Sequence, residues 1–196
     1  MNCNPFTFGH LYLIETAAKE NEEVIVFVVE EDRSSFPTDI RFNLVKLGCS
    51  HLKNVTVIKG GRYIISSNTF PSYFLRKKDD KLSIYTKLDA TIFGMYIAKF
   101  FNINKRYVGT EPYCDVTNEY NKTMLSVLPK YGVEVCLVER MTKDGRAVSA
   151  SIVRELLKHD RLSEVESLVP QVTYDFLKTQ EGKKIIENIK RRDLPH

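Results

Sequence analysis

A chain of 196 residues can bury one full core and carry a small appendage. At 43% hydrophobic and 28% charged, its composition is that of a soluble globular protein and excludes a disordered or fibrous chain. The net charge of +4 is spread along the sequence, and its short clusters, Arg76-Lys77-Lys78 and Lys190-Arg191-Arg192, read as solvated faces rather than a nucleic-acid groove.

A mild basic excess suits an anionic small substrate. Cys3, Cys49, Cys114 and Cys136 are far apart, with no C-x-x-C pair, and read as free, mostly buried thiols of a reducing compartment. His10, His51, His159 and His196 show no metal-ligand spacing with them, so no metal site is expected. The longest apolar run, Val24 to Val29, is far too short to span a bilayer. No signal peptide is expected ahead of the domain. The expected location is the cytoplasm.

In chain order, Met1 to Cys3 reads as the tail of a strand entering the loop Asn4-Pro5-Phe6-Thr7-Phe8-Gly9-His10. Leu11, Ile14, Ala17 and Ala18 then recur at helical spacing. Val24 to Val29 is a continuous β-branched run, as in a strand buried on both faces of a parallel sheet. After the loop Ser34-Ser35-Phe36-Pro37, Thr38 or Asp39 is expected to cap a helix through Leu44, Val45 and Leu47, ended by Gly48. Val55 to Ile58 is a third strand, stopped by Gly60-Gly61. A short helix weakened by Pro71 is expected over 68–75, and a turn at Asp79-Asp80.

From Leu88 through Ile92, Met95, Tyr96 and Phe100 a helix is predicted. Arg106-Tyr107-Val108 is a short strand, broken by Gly109-Thr110-Glu111-Pro112. Asn118 to Leu128 is helical, with Tyr120, Met124, Leu125 and Leu128 on one face. Val133 to Val138 is the fifth strand. Ser149 opens a helix through Ile152, Val153 and Leu156, and Ser163 opens another short one. Pro170 stands near the start of a last helix with a weak point at Gly182. This alternation predicts a doubly wound, Rossmann-like parallel sheet of about five strands. Ligands in such folds bind beyond the carboxyl ends of the strands. The loop Asn4–His10, the segment Gly109–Pro112 and the segment before Ser149 are expected there.

Two stretches carry chemistry. The loop Asn4–His10 feeds the first turn of a helix, whose unpaired N–H groups and dipole make an anion site. Gly9 lets a ligand approach the backbone, and Thr7 and His10 flank the opening with a hydroxyl and an imidazole. In Val148-Ser149-Ala150-Ser151-Ile152-Val153-Arg154, Ser149 is a candidate N-cap, Ser151 sits in the first turn, and Arg154 can reach toward it. Two hydroxyls, backbone donors and a guanidinium suit a phosphate clamp. The same residues also fit an ordinary capped helix with a surface arginine.

Thr7-Phe8-Gly9-His10 resembles the (H/T)xGH motif of the nucleotidyltransferase superfamily, and Val148 to Arg154 resembles its second signature, of the type I-S-S-T-x-x-R. The longer run Asn2 to Glu15 is similar to the citrate lyase ligase family, in its C-terminal catalytic domain. So are Tyr63 to Ser66, residues 69–75, Val108 to Pro112 and Val116 to Asn121. The resemblance implies a HIGH-superfamily nucleotidyltransferase fold over residues 1–196, with a C-terminal helical extension over 170–196. It implies that acetate attacks the α-phosphate of ATP, with Mg²⁺ on the phosphates, giving acetyl-AMP and pyrophosphate. The acetyl group then passes to the prosthetic-group thiol of the acyl-carrier subunit of citrate lyase.

By the same resemblance, Thr7 and His10 hold the α and β phosphates, with Arg154 as the third catalytic residue. Gly9 gives the adenosine room beside Asn4, Pro5 and Phe6. Ser149, Ser151 and Arg154 bind the β and γ phosphates, with Ile152 beside them, and Gly109, Thr110 and Glu111 contact the nucleoside.

Two departures bear on this. Family members carry an upstream acetyltransferase-like domain that this sequence lacks, and the first strand is short, so a fragment is expected. A basic residue that assists the phosphates in some relatives has only Arg33 as its counterpart. Two alternatives stand beside the ligase. One is an adenylyltransferase for phosphopantetheine or nicotinamide mononucleotide; the other is a non-catalytic module that binds nucleotide or carrier.

Overall fold

The computed structural model describes residues 1–30, 34–66, 82–111, 114–143 and 145–191. Arg33, the predicted helix over 68–75, the turn at Asp79-Asp80 and Pro112 lie outside the described residues. The chain divides into two units, Met1–Lys59 with Met141–His196, and Gly60–Arg140.

In the first unit, Thr7 caps helix α1 (Phe8–Glu20), which buries Leu11, Ile14 and Ala17. Strand β1 (Val24–Val28) and strand β2 (Val55–Lys59) pair in parallel, Val24 opposite Val55 and Val28 opposite Lys59. Parallel neighbours need a crossover, and helix α2 (Thr38–Gly48) supplies it. Met1 is not part of a regular strand, yet it bridges to β1. Its amino group donates to the Phe27 carbonyl, and Val29 N donates to the Met1 carbonyl. The predicted strand tail is thus a single parallel bridge. The core between these elements is built from Cys3, Phe6, Leu11, Ile14, Val26, Val28, Leu44, Val45 and Cys49.

The cap of α2 differs from expectation. The helix follows Pro37 with no side-chain cap. The Thr38 hydroxyl instead accepts from Arg41 Nη2 at 2.9 Å, so it is not turned back on the helix start.

The remaining part of this unit opens with a short antiparallel pair, β3 (Thr142–Lys143) and β4 (Arg146–Ala147). Helix α3 (Ala150–Lys158), helix α4 (Leu162–Val165), helix α5 (Gln171–Lys178) and helix α6 (Gln180–Arg191) follow. Ser163 lies inside α4 and does not cap it. The single last helix predicted after Pro170 is two helices. The break falls at Thr179, which is extended, and the Thr179 hydroxyl accepts from Gly182 N at 3.1 Å. Gly182 is a close-packing position rather than a weak point: a Cβ there would stand 2.2 Å from the Phe176 carbonyl oxygen. These helices form a second core with Phe36, Val153, Leu157, Leu177, Ile185 and Ile189. Val172 and Phe176 of α5 also pack against the first core. The C-terminal helices are therefore integral to this unit.

The second unit contains a long helical stretch: α7 (Leu82–Ile92), a π-helical turn over Phe93–Ile97, and α8 (Ala98–Phe100). It starts six residues before the predicted Leu88. Strand β5 (Lys105–Gly109) and strand β6 (Glu134–Val138) pair in parallel. Helix α9 (Asp115–Val127) joins them and begins earlier than predicted, with Asp115 in its first turn, where an acidic side chain suits the dipole. Its buried face carries Val116, Tyr120, Thr123, Met124 and Val127. Leu125, expected on that face, is exposed.

Among the described residues the molecule is thus mixed α/β, with one parallel strand pair in each unit. The predicted single five-stranded sheet is described only as these separate pairs. No helix among the described residues is long and apolar enough to cross a membrane.

Candidate functional site

The loop Asn4–His10 is held by bonds its own sequence encodes. Thr7 and His10 form a capping box, in which each side chain serves the other's backbone. Thr7 N donates to His10 Nδ1 at 3.1 Å, and His10 N donates to Thr7 Oγ1 at 3.4 Å. Thr7 Oγ1 lies 2.8 Å from Nδ1. Because Nδ1 accepts a backbone N–H, the neutral ring carries its proton on Nε2. The ring stacks on Phe6, with centroids 6.1 Å apart. Thr7 is only 1% exposed, so its hydroxyl works inside the loop.

The second stretch meets the first directly. A Cβ on Gly9 would stand 2.6 Å from the Val148 carbonyl oxygen, so the space a side chain would fill is taken by the Val148 backbone. Ser149 caps α3, its hydroxyl accepting from Ile152 N at 3.3 Å. Arg154, buried on α3, donates Nη1 to the Asn4 carbonyl, and Nη2 lies 3.4 Å from Ser151 Oγ. The starts of α1 and α3 are therefore adjacent. In the first turn of α1, Phe8 N donates to the Leu168 carbonyl and His10 N to Thr7. Gly9 N, Ala150 N and Ser151 N have no acceptor among the described residues. Free first-turn donors at two adjacent helix starts make an anion cradle.

Not every predicted residue faces that cradle. Phe6 has no exposed surface, because its ring fills the first core against Gly48. Asn4 and Pro5 are also buried. The Asn4 side chain accepts from Phe36 N at 3.0 Å, and so anchors the loop from beneath. Ser151 and Ile152 are exposed, and Ser149 is half-buried.

Gly109, Thr110 and Glu111 belong to the second unit, at the carboxyl end of β5. Asn121 Nδ2 donates to the Gly109 carbonyl at 3.0 Å. Arg140 donates Nε to the Thr110 carbonyl at 2.8 Å and Nη2 to Glu111 at 2.5 Å. The other carboxylate oxygen of Glu111 accepts from Cys114 N at 3.2 Å.

Two arginines escaped the sequence reading. Arg41 is completely buried and donates to the carbonyls of Asn2 at 2.7 Å, Val29 at 2.7 Å and Phe36 at 2.9 Å. It also donates to the Asn2 side chain at 3.0 Å. The signal was present: Arg41, Leu44 and Val45 share the buried face of α2, and an arginine on a core face needs buried partners. Arg140 could have been found from register. Gly109 opposite Val138 puts the two residues beyond each strand end side by side.

Burial pushes the Cys3 thiol up to about 11 and the Cys49 thiol up to about 12, so neither is a nucleophile near neutral pH. No cluster of three or more His, Cys, Asp or Glu side chains that could hold a metal occurs among the described residues.

Comparison with known proteins narrows the chemistry. The family model of the citrate lyase ligase C-terminal domain matches residues 1–177. The chain is 40% identical over 185 residues to the citrate (pro-3S)-lyase ligase of Escherichia coli (strain K12), which covers 90% of this chain and 52% of that protein. It is 40% identical over 181 residues to the ligase of the same name from Klebsiella pneumoniae, covering 90% and 53%. A shorter similarity, 39% over 56 residues, is to the phosphopantetheine adenylyltransferase of Finegoldia magna (strain ATCC 29328 / DSM 20472 / WAL 2508), covering 28% of this chain and 35% of that protein. The chain spans about half the length of the ligases it matches.

Proposed function

This chain belongs to the citrate lyase ligase C-terminal domain family, and from that premise we propose that it activates acetate with ATP, forming acetyl-AMP, and then acetylates a thiol on the acyl-carrier subunit of citrate lyase. The observation that supports the reading is the junction of the two stretches, with Gly9 against Val148 and Arg154 bonded to Asn4. It gathers fixed donors where a polyphosphate can lie.

In this reading ATP enters as its Mg²⁺ complex, the ion carried on the phosphates. An acetate oxygen attacks the α-phosphorus, the bond to the bridging oxygen breaks, and pyrophosphate leaves. The carrier sulfur then attacks the acetyl carbon, and AMP leaves. The protein's share of the first step is placement and electrostatics. Gly9 N, Ala150 N and Ser151 N donate to phosphate oxygens. His10 donates from Nε2 to the charge that develops on the α-phosphate. Thr7 works through His10, by holding Nδ1. Arg154 keeps the loop seated against α3 and, on the resemblance, binds the β and γ phosphates with Ser149 and Ser151. Gly109, Thr110 and Glu111 contact the nucleoside on the resemblance alone. The strand pairs are read as parts of a doubly wound nucleotidyltransferase sheet. The cytoplasm suits four free thiols.

The test supplies the protein with ATP, Mg²⁺ and one acceptor at a time. Acetate-dependent exchange of labelled pyrophosphate into ATP, and acetate-dependent AMP when the thiol-form carrier is added, are the expected results. Pyrophosphate release with phosphopantetheine and none with acetate would replace the ligase with an adenylyltransferase, the activity named for the relative that matches 56 residues. ATP binding without turnover of any acceptor would reduce the chain to a binding module.

A further inference from the structure

In the second unit, α7 and α8 carry an apolar stripe that is exposed among the described residues. Ile84 is 61% exposed, Leu88 43%, Tyr96 63% and Phe100 82%. Ile92, half-buried, continues the same spacing of four. On a straight α-helix, residues four apart drift by about 40° per step, which would wind the stripe around the helix. The π-helical turn over Phe93–Ile97 is wider and takes back part of that drift. Gly94 lies within that turn, where a Cβ would stand 2.5 Å from the Tyr131 ring, so the helix lies close to its neighbour there. Ile84 and Phe100 consequently lie on one face, about 24 Å apart at 1.5 Å per residue.

Among the described residues of this face the exposed charges have one sign. Lys87 and Lys99 are exposed, and neither has an ion-pair partner among the described residues. The helix's only carboxylate, Asp89, is buried and accepts from Ile65 N at 2.8 Å. From residue 90 to residue 110 the sequence has no acidic residue.

We propose that the stripe Ile84–Leu88–Tyr96–Phe100, flanked by Lys87 and Lys99, is the docking face for the carrier partner, through a partner helix with an apolar ridge bordered by carboxylates. The partner's name rests on the carrier assigned in the proposed function; its chemistry rests on this face. Apolar anchors at a spacing of four are how a helix is read by a partner helix. Charged residues at the rim set orientation and association rate. A second copy fits poorly. Antiparallel packing about Ile92 would set each Lys87 against the other copy's Lys99, like against like. A membrane surface fits poorly too, since such helices carry a polar face rich in Lys and Arg and this one offers two.

The experiment measures carrier binding by calorimetry, and acetate-dependent pyrophosphate exchange separately. The variants are Tyr96→Glu, Phe100→Glu and Lys99→Glu, all at exposed positions outside the anion cradle. The expected result is a Kd for the thiol-form carrier raised at least tenfold in each, with exchange unchanged and wild-type binding weakened by salt. Unchanged carrier affinity in all three would overturn the docking face. So would a wild-type dimer that these variants dissociate, or vesicles rich in phosphatidylserine that the variants release while carrier affinity stays constant. Absent exchange in the wild type, with carrier binding that the variants weaken, would reject the ligase reading and leave the docking face standing.

Discussion

Arg154 reaches back 150 residues along the chain to donate Nη1 to the Asn4 carbonyl. Two residues earlier, the Asn2 carbonyl accepts from the buried Arg41. The root of the loop is thus gripped by two guanidiniums, one on each side of Cys3, which is buried and holds a left-handed φ of 51°. Buried carbonyls need such partners. These bonds therefore fix the approach of the loop before any ligand arrives.

Arg154→Met should remove that donor and leave the Asn4 carbonyl buried without it. The cost of an unmade buried bond is about 1–3 kcal/mol. Urea unfolding should show a midpoint lowered accordingly, and Arg154→Lys should recover part of it. Pyrophosphate exchange should fall in both, since the loop and α3 lose their tie. A variant with wild-type midpoint and wild-type exchange would mean that the contact holds nothing.

For His10→Ala two effects separate. The half of the capping box in which the His10 ring accepts from Thr7 N is lost, while the Thr7 cap on His10 N remains, so stability should fall slightly. The Nε2 donor is lost as well, and removing one donor to a charge that builds in the transition state typically costs ~10²–10³ in turnover. His10→Asn offers a side-chain acceptor to Thr7 N, so it should regain stability without regaining rate. Equal recovery of both would remove the imidazole from the chemistry.

The junction of the two stretches was legible because each has a local signature: a hydroxyl cap, a glycine and a following apolar period. The sequence could not give the use made of each residue. Gly9 reads as room for a ligand, but its missing Cβ admits the Val148 carbonyl. Phe6 reads as part of the motif and lies wholly in the core. Helix existence was legible from period 3.6, whereas ends were not where tertiary bonds override local preference. Thr38, a good cap by type, spends its hydroxyl on Arg41. Thr179 breaks the last helix where Gly182 was the expected weak point.

Stability should fall in alkali through the two buried thiols. Burial raises both, Cys3 from 9.0 to about 11 and Cys49 from 9.0 to about 12. A raised value means that the native state holds the proton more tightly than the unfolded chain. The contribution is therefore complete below pH 9 and is lost as pH climbs toward 11 and 12. Two pKa units correspond to a loss on the order of 2–3 kcal/mol for Cys3. The joint variant Cys3→Ala, Cys49→Ala should flatten the urea midpoint between pH 9 and pH 11. An unchanged slope would place the alkaline loss elsewhere.

Gly9→Ala and Gly109→Ala separate packing from ligand contact, because the two glycines meet opposite surroundings. At Gly9 the new Cβ would stand 2.6 Å from a backbone oxygen, which cannot swing aside as a side-chain tip can. Either α1 or the chain at Val148 must shift. Overpacking of this kind costs about 1–3 kcal/mol. It also moves Gly9 N away from Ala150 N and Ser151 N, so exchange should fall further than stability alone explains. At Gly109 nothing lies within 4 Å of the added Cβ, and the glycine does not have a left-handed φ. Gly109→Ala should therefore unfold at the wild-type urea concentration. If Gly109 contacts the nucleoside, its KM for ATP should rise while the KM for acetate stays fixed. A Gly109→Ala protein with unchanged KM for both would remove this segment from the nucleotide site. A Gly9→Ala protein with wild-type stability and exchange would mean that the two helix starts need not meet as closely as they do here.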